Sequence, residues 1–375
     1  VKRLYSIYFK VIAFFLATFI KLTNISKGSK ENQILIVKPD AVGDFFIFLQ
    51  FIHNIRDFYP HKEFNIKVLV NQINENVAKE YLDVDEIVSF NRSKLYNSLS
   101  YFLSLIWRVK GNYNEIIYPC YSRESLFDIL IYSLQATKKS SFKGDSTNSS
   151  KALITIGNSF YNYLIKDENA NELTRIDNFF QQVIPNYNYT EYLIKTDSND
   201  PLLTYIEDKT IGIFPGASWR GRCWEPEKYG QLIEVLIRNG HKIVLLGGPT
   251  DIQITEDILR YCQKPHQIIN LVGKTSLINL TNIISKLELL ITSESCAVHI
   301  AQVTQTKSIT LLGGGHFERF LPFPEKYNKK LTSLSVYKKL DCFYCGWHCP
   351  FSNPGQSVPC IEMIETISII NRFKE

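Results

Sequence analysis

The N-terminal thirty residues contain no acid. Lys2, Arg3, Lys10, Lys21, Lys27 and Lys30 stand there unopposed, while bases and acids nearly cancel in the rest of the chain, so the net charge of +5 belongs to this arm. A nucleic-acid binder spreads its bases over a folded face. That pattern is missing, and no nucleic-acid partner is expected. Also missing is a run able to cross a bilayer: the arm's longest uncharged stretch, Val11 to Ile20, falls well short of the roughly 20 apolar residues a spanning helix needs. No small-x-small cleavage site follows Ile20, which speaks against a secretory leader. No tandem repeat is visible.

What the arm does contain is helical patterning. On a wheel, Arg3, Ser6, Lys10, Ala13, Ala17 and Lys21 share one narrow face, and Leu4, Tyr8, Val11, Ile12, Phe15, Phe19 and Leu22 cover much of the rest. This predicts an amphipathic arm over residues 1–30 lying in a membrane surface, its lysines reaching for anionic head groups. The alternative is a helix packed on its own body. A chain of 375 residues that is 45% hydrophobic and 21% charged suits two globular domains. Of the eight cysteines, Cys120, Cys223, Cys262 and Cys296 are scattered, as thiols of a reducing compartment usually are. Cys342, Cys345, Cys349 and Cys360 cluster with a spacing that suits a closed four-thiolate structural zinc site, with His348 as a substitute ligand. Disulfides and free thiols are equally compatible with that spacing.

Beyond the arm, apolar runs and helical periods alternate. Gln33 to Lys38 reads as a strand, Phe45 to Phe58 as a helix, Asn65 to Val70 as a strand, and "NEIIYP" and "SLFDILIYSLQAT" as strand and helix. Residues 138–151, "KKSSFKGDSTNSSK", are polar and predict an exposed loop. The alternation restarts at Thr210 to Phe214, followed by a loop, a helix from Pro226 to Arg238 with Gly240 past its end, and a strand at Lys242 to Leu246. Helices near Ile252–Cys262 and Leu277–Lys286, a strand at Leu289–Thr292, a helix at Ala297–Gln305 and a strand at Ser308–Leu312 complete it. Repeated βαβ units predict an α/β protein of two halves, with the boundary between residues 185 and 205.

One stretch raises a functional question. In "KPDAVGDFFIFLQFI" a strand turns into a helix at Asp44. Such an Asp is either a helix cap or a carboxylate held at the carboxyl edge of a parallel sheet, where open α/β folds bind ligands. Three segments decide how to read it: "ILIVKPDAVGDFFIFLQFIHNIRDFYP", "IGIFPGASWRGRCWEPEKYGQLIEVL" with "IVLLGGPTD", and "LVGKTSLINLTNIISKLELLITSESCAVHIAQVTQTKSITLLGGGHFERFLP". In order and spacing they resemble glycosyltransferase family 9, the heptosyltransferase-like enzymes of lipopolysaccharide synthesis.

The resemblance implies a GT-B fold, two Rossmann-like domains facing a central cleft: an acceptor domain over 31–190, a sugar-nucleotide domain over 205–345, and a Cys cluster with a C-terminal crossing helix over 342–375. It implies an inverting transferase that needs no metal for catalysis, with Asp44 as the base that takes the acceptor hydroxyl's proton. Ser218 and Arg222 match positions contacting the donor diphosphate; Arg222 stands where a lysine is usual and can act in bidentate form, or is simply a surface base. Trp224 reads as packing. The family commonly has Asn-Asp-Ser-Gly-Pro-Met-His where this chain has Ser293-Glu294-Ser295-Cys296-Ala297-Val298-His299, so Glu294, Ser295 and His299 are expected at the donor, His299 having a structural alternative. "LLGGGHFERFLP" replaces Phe-Gly-Pro-Thr-Asp-Pro, and the glycines around Gly314 are expected to cradle phosphate. Asp251 is expected near the nucleotide ribose, and Arg123 on the acceptor side.

These features predict transfer of a sugar, a heptose by resemblance, from a nucleoside diphosphate donor to a lipopolysaccharide-core or other glycolipid acceptor at the cytoplasmic face of the inner membrane. The departures at Glu294, Cys296 and Gly315-His316 keep open a different sugar in capsule or O-antigen synthesis. A non-catalytic sugar-nucleotide scaffold and a sugar-nucleotide epimerase are the readings from other classes.

Overall fold

The structure, a computed structural model, describes residues 2–23, 32–169, 171–330 and 332–374. Side chains of residues 2–8 and 374 lie outside that description, as do Lys27 and Lys30, so the expectations for Arg3, Leu4, Ser6 and Tyr8 fall outside it too. The chain forms two units: Val1–Asn169 with Thr174–Thr190, and Ala170–Leu173 with Glu191–Glu375.

In the first unit, α1 (Lys2–Thr23) precedes β1 (Asn32–Lys38), α2 (Val42–Ile52), α3 (Ile55–Phe58), β2 (Phe64–Asn71), α4 (Glu75–Tyr81) and β3 (Glu86–Phe90). Then come α5 (Arg92–Asn97), α6 (Leu99–Arg108), β4 (Asn112–Tyr118), α7 (Ser125–Ser133), β5 (Gln135–Phe142), α8 (Lys151–Asn158), β6 (Tyr163–Ile165) and α9 (Glu172–Val183). The strands pair in parallel in the order β3-β2-β1-β4-β5-β6. Ile34, Leu35, Ile36 and Val37 of β1 are all buried, because helices on both faces of a parallel sheet make its inner strands apolar throughout rather than alternating.

The second unit repeats this winding. Its elements are β7 (Thr210–Phe214), α10 (Pro226–Arg238), β8 (Lys242–Leu245), α11 (Ile252–Arg260), β9 (Ile269–Asn270), α12 (Leu277–Lys286), β10 (Leu289–Ser293), α13 (Cys296–Thr304), β11 (Ser308–Leu311), β12 (Ser333–Val336), α14 (Pro359–Glu362) and α15 (Thr366–Lys374). The sheet runs β12-β11-β10-β7-β8-β9, all parallel. α15 packs on α10, β11 and β12 of the same unit. In each sheet the chain order reverses beside the first strand, between β1 and β4 and between β7 and β10. Helices then leave on opposite faces and open a crevice at the carboxyl ends.

Two expectations change on contact with the fold. The "exposed loop" at 138–151 begins with strand β5, whose last residues are buried. Its polar side chains are paired: Lys139 Nζ donates to the carbonyls of Ile131 and Leu134, Ser141 to Tyr118 O, and Lys138 pairs with Glu115 at 2.7 Å. A strand of this composition is stable because each buried donor has an acceptor. The second change concerns α1, which packs on α6 and α7. Its Phe9, Ala13 and Ala17 join the apolar core with Phe102, Leu126 and Leu130, and Phe14 stacks on Tyr132 at 5.3 Å and Phe160 at 5.9 Å. The narrow face carrying the two alanines thus turns inward, where small side chains let helices approach closely. Val11, Phe15, Phe19 and Leu22 are left 46–74% exposed. No described helix is long and apolar enough to cross a membrane.

Candidate active site

At the crevice of the first sheet, the Lys38 side chain ends β1 almost wholly buried and pairs with Asp40 at 2.7 Å. The Cys120 thiol, just beyond β4, donates to the same carboxylate at 2.8 Å. Burial opposes ionisation of Asp40, but Lys38 and the two hydrogen bonds outweigh it and hold the carboxyl below its ordinary range. Lys38 is in turn raised despite burial, by Asp40 first and by Asp44 as well. Asp44 therefore stands close to this cluster. It lies in the first turn of α2 but is not the N-cap: that position is Ala41, which has no side-chain cap bond. The carboxylate still faces the positive end of the helix, so a cap bond at Ala41 does not explain Asp44.

Arg123 does not reach this surface. It is fully buried, donating to Asn158 at 2.6 Å and standing 3.7 Å from Asp128, so the acceptor role expected of it is replaced by an internal one. The base that does reach solvent here is Arg92, paired with Glu124 at 2.6 Å and close enough to help lower Asp40. Arg92 and Lys38 both went unnoticed in the sequence, although Lys38 ends β1 beside the switch point and Arg92 follows the carboxyl end of β3, which is the signal that finds them.

At the crevice of the second sheet, the loop after β7 and the turn after β10 meet through Arg222. Its Nη1 donates to Ser218 Oγ at 3.1 Å and its Nη2 to the Glu294 carbonyl at 2.8 Å, with the Glu294 carboxylate 3.0 Å away. Arg222 is therefore no loose surface base. Neither Glu294 oxygen has a hydrogen-bond donor among the described residues, and burial pushes this carboxyl up to about 7 against the pull of Arg222. Ser295 caps α13, accepting from Ala297 N–H. His299, buried beside Phe320 and Phe323, is pushed down to about 3 by burial. It is neutral at any working pH, and its Nδ1 has no partner among the described residues.

Two expected donor contacts are otherwise occupied. Asp251 is buried under the loops it follows, accepting from Gly248 N–H at 2.8 Å; a Cβ on Gly216 would lie 2.2 Å from its carboxylate. That glycine leaves room for the Asp251 carboxylate, which turns back against the loop after β7. The glycines after β11 are also covered. A Cβ on Gly315 would meet the Trp347 indole at 2.2 Å, and one on Gly314 the Phe343 ring at 2.3 Å. The Gly314 N–H goes to Cys360 Sγ at 3.4 Å, and its carbonyl accepts from Tyr344. The phosphate cradle expected there is filled by the chain's own Cys-rich segment.

Cys342, Cys345, Cys349 and Cys360 do line one small pocket with Phe343 and Trp347. All four are free thiols, and among the described residues no three His, Cys, Asp or Glu side chains are placed to hold a metal ion. The structural zinc expected from their spacing has no support: Cys360 is engaged by Gly314, and His348 points to solvent. Trp224 is fully buried and donates to Ile364 O at 3.0 Å, a packing residue.

The profile of glycosyltransferase family 9 (heptosyltransferase) matches residues 129–344. Lipopolysaccharide heptosyltransferase 3 of Escherichia coli K12 is 32% identical over 123 residues, 32% of this chain and 35% of that protein. Lipooligosaccharide heptosyltransferase 2 of Haemophilus influenzae is 30% identical over 112 residues, 28% of this chain and 32% of that protein. The matched stretch thus spans about a third of these relatives. Among solved structures, the glycosyl transferase family 9 protein of Veillonella parvula superposes with a TM-score of 0.71 at 16% identity, covering 92% of this chain and 96% of that one. E. coli ADP-heptose lps heptosyltransferase II gives 0.69 at 15% identity, covering 91% and 97%. These superpositions establish the GT-B architecture.

Proposed function

This chain belongs to glycosyltransferase family 9, and from that premise we propose that it is an inverting transferase moving a heptose from ADP-heptose to a lipopolysaccharide-core or other membrane-bound saccharide. The observation that carries the reading is the carboxylate pair at the end of β1. Asp40 is tied to Lys38 and Cys120 and held ionised, which makes it a poor proton acceptor. Asp44, in the first turn of α2 and near enough to Lys38 to help raise it, is the carboxylate assigned that work, at the position the family resemblance gives to the base. In the step, an acceptor hydroxyl gives its proton to Asp44 as its oxygen bonds to the anomeric carbon. The bond from that carbon to the β-phosphate oxygen breaks, and the nucleoside diphosphate leaves with inversion. Arg222 and the N-terminus of α13 meet the leaving charge. No step uses a metal. Arg92 supplies positive charge for an anionic acceptor.

The choice of ADP-heptose follows the solved neighbours, one described as an ADP-heptose enzyme and another, E. coli WaaC, solved with ADP-2-deoxy-2-fluoro heptose. A membrane-bound acceptor fits α1, whose row of Val11, Phe15, Phe19 and Leu22 faces away from the body in an arm rich in bases. We read that row as lying in the interface of an anionic membrane and infer a peripheral position at the cytoplasmic face of the inner membrane.

The test is nucleoside diphosphate release from a panel of sugar nucleotides, ADP-heptose included, with and without truncated core glycolipid. Release is expected to need both substrates and to fall at least about 100-fold in Asp44→Asn, with ADP binding retained. A second reading, transfer of another sugar, is favoured by Glu294 and by the covered glycine loop; release from a different donor in the same panel selects it. Binding without turnover of any donor selects the scaffold, and conversion of a donor without acceptor selects an epimerase.

A further inference from the structure

The family profile ends at residue 344, and Trp347 lies just beyond it. The indole rests flat on the loop after β11, filling the space a Cβ would take at both Gly313 and Gly315. Its other neighbours belong to the donor crevice. The Arg222 guanidinium sits 4.9 Å from the ring centroid, and Trp219 and His316 meet the ring edge-on at 6.2 Å each. Arg222 is thus held from three sides, by Ser218, by Glu294 and by the indole face. Within this stack two N–H groups, Arg222 Nε and Trp347 Nε1, are buried with no acceptor among the described residues. Buried donors without acceptors are costly, and native proteins keep few of them without a use. The backbone is unusual at the same place: Tyr344, Gly346 and Trp347 all have positive φ, 67°, 60° and 63°. Side-chain-bearing residues adopt that conformation only when their surroundings impose it. Here the bonds from Tyr344 and Gly346 N–H to the Gly314 and Gly315 carbonyls do so.

We propose that Trp347 is a donor-site residue of this chain, its indole face positioning Arg222 and its Nε1–H, with Arg222 Nε–H, binding the diphosphate of the nucleotide donor. The inference rests on the donor reading above and deepens it. The phosphate-binding work expected of the glycine loop passes to a side chain from the Cys-rich segment, and the glycines are there to admit the indole. The guanidinium gains a cation–π contact that is strongest where water is excluded, and each N–H gains a charge-assisted bond.

The experiment titrates the full chain with ADP and with AMP and compares Trp347→Phe, which keeps a ring under Arg222 but has no N–H, with Trp347→Leu, which keeps bulk alone. ADP binding is expected to weaken roughly 10-fold in the Phe variant and roughly 100-fold in the Leu variant, in line with the loss of one charge-assisted hydrogen bond and then of the cation–π contact as well. AMP binding should change much less, because its affinity does not depend on a second phosphate. In turnover assays kcat/KM for the donor should fall in the same order, Leu below Phe, and kcat at saturating donor should fall as well, because Arg222 meets the charge that develops on the leaving diphosphate. Melting temperatures of the variants report whether they fold. Folded variants that bind ADP like the parent overturn the proposal, and so does equal weakening of ADP and AMP, which marks a structural role. A parent chain that binds no ADP at all overturns the donor reading itself and this inference with it.

Discussion

Glu294, buried beside Arg222, is the residue whose environment asks most of it. Its carboxyl is raised in the folded chain to about 7, above the ordinary glutamate value, so the fold holds a proton that the unfolded chain gives up. That stability is fully present below the ordinary value and is lost as pH rises through about 7, to a total on the order of 3 kcal/mol. Glu294→Gln should therefore melt higher than the parent at pH 8 and about equally at pH 4, which thermal scans across pH will show. The same titration bears on ligand: once ionised, Glu294 competes for Arg222 and repels a diphosphate. ADP affinity of the parent should fall as pH rises past about 7, and the Gln variant should lack that fall; a parallel fall in both sinks the idea. At this scale the sequence was legible where a residue acts through its immediate neighbours in the chain. Ser295 capping α13 is such a case. It was illegible where the partner is remote, as with Trp347 on Gly315 or Asp251 under Gly216, because no local pattern encodes a contact across a loop.

At the scale of elements, α1 is the instructive case. Its period was plain in the sequence, but its orientation was not: Ala13 and Ala17 share a face with lysines and look solvent-facing by hydropathy. Close packing chose them instead, since a helix can approach α6 and α7 only along small side chains. Lys21 adapts by lying over the Tyr132 ring, 3.9 Å from its centroid. Replacing both Phe15 and Phe19 with Glu should abolish co-sedimentation with anionic vesicles while leaving the melting temperature within about 2 °C, as surface changes usually do. Ala13→Phe should instead overpack the core side and cost about 1–3 kcal/mol in denaturant unfolding. Equal vesicle binding by the Phe15/Phe19 double variant and the parent contradicts the outward row. β5 was missed for the converse reason: Lys138, Lys139, Ser140 and Ser141 look like loop, and only the carbonyls of α7 and the Glu115 carboxylate make them strand.

Over the whole molecule, the two sheets share one winding, and this was the most legible feature, because each strand–helix alternation is written in apolar runs of the right length. Winding also located the candidate chemistry, since Asp44 and Arg222 both follow the strand where chain order reverses. All proposed donor residues belong to the second unit, so ADP should slow amide hydrogen exchange around β7, β10 and α13 and leave the β1–β4 region unchanged; uniform protection of both sheets contradicts the assignment. The two-sided packing of α1 has a practical consequence for whoever purifies this protein. Four large apolar side chains on its outer row favour self-association in plain buffer. Trimming the helix is no remedy, because the cut uncovers Tyr132, Phe160 and the rest of the surface now under Phe14. Solubility is better sought by changing the outer row to polar residues and keeping the helix in place.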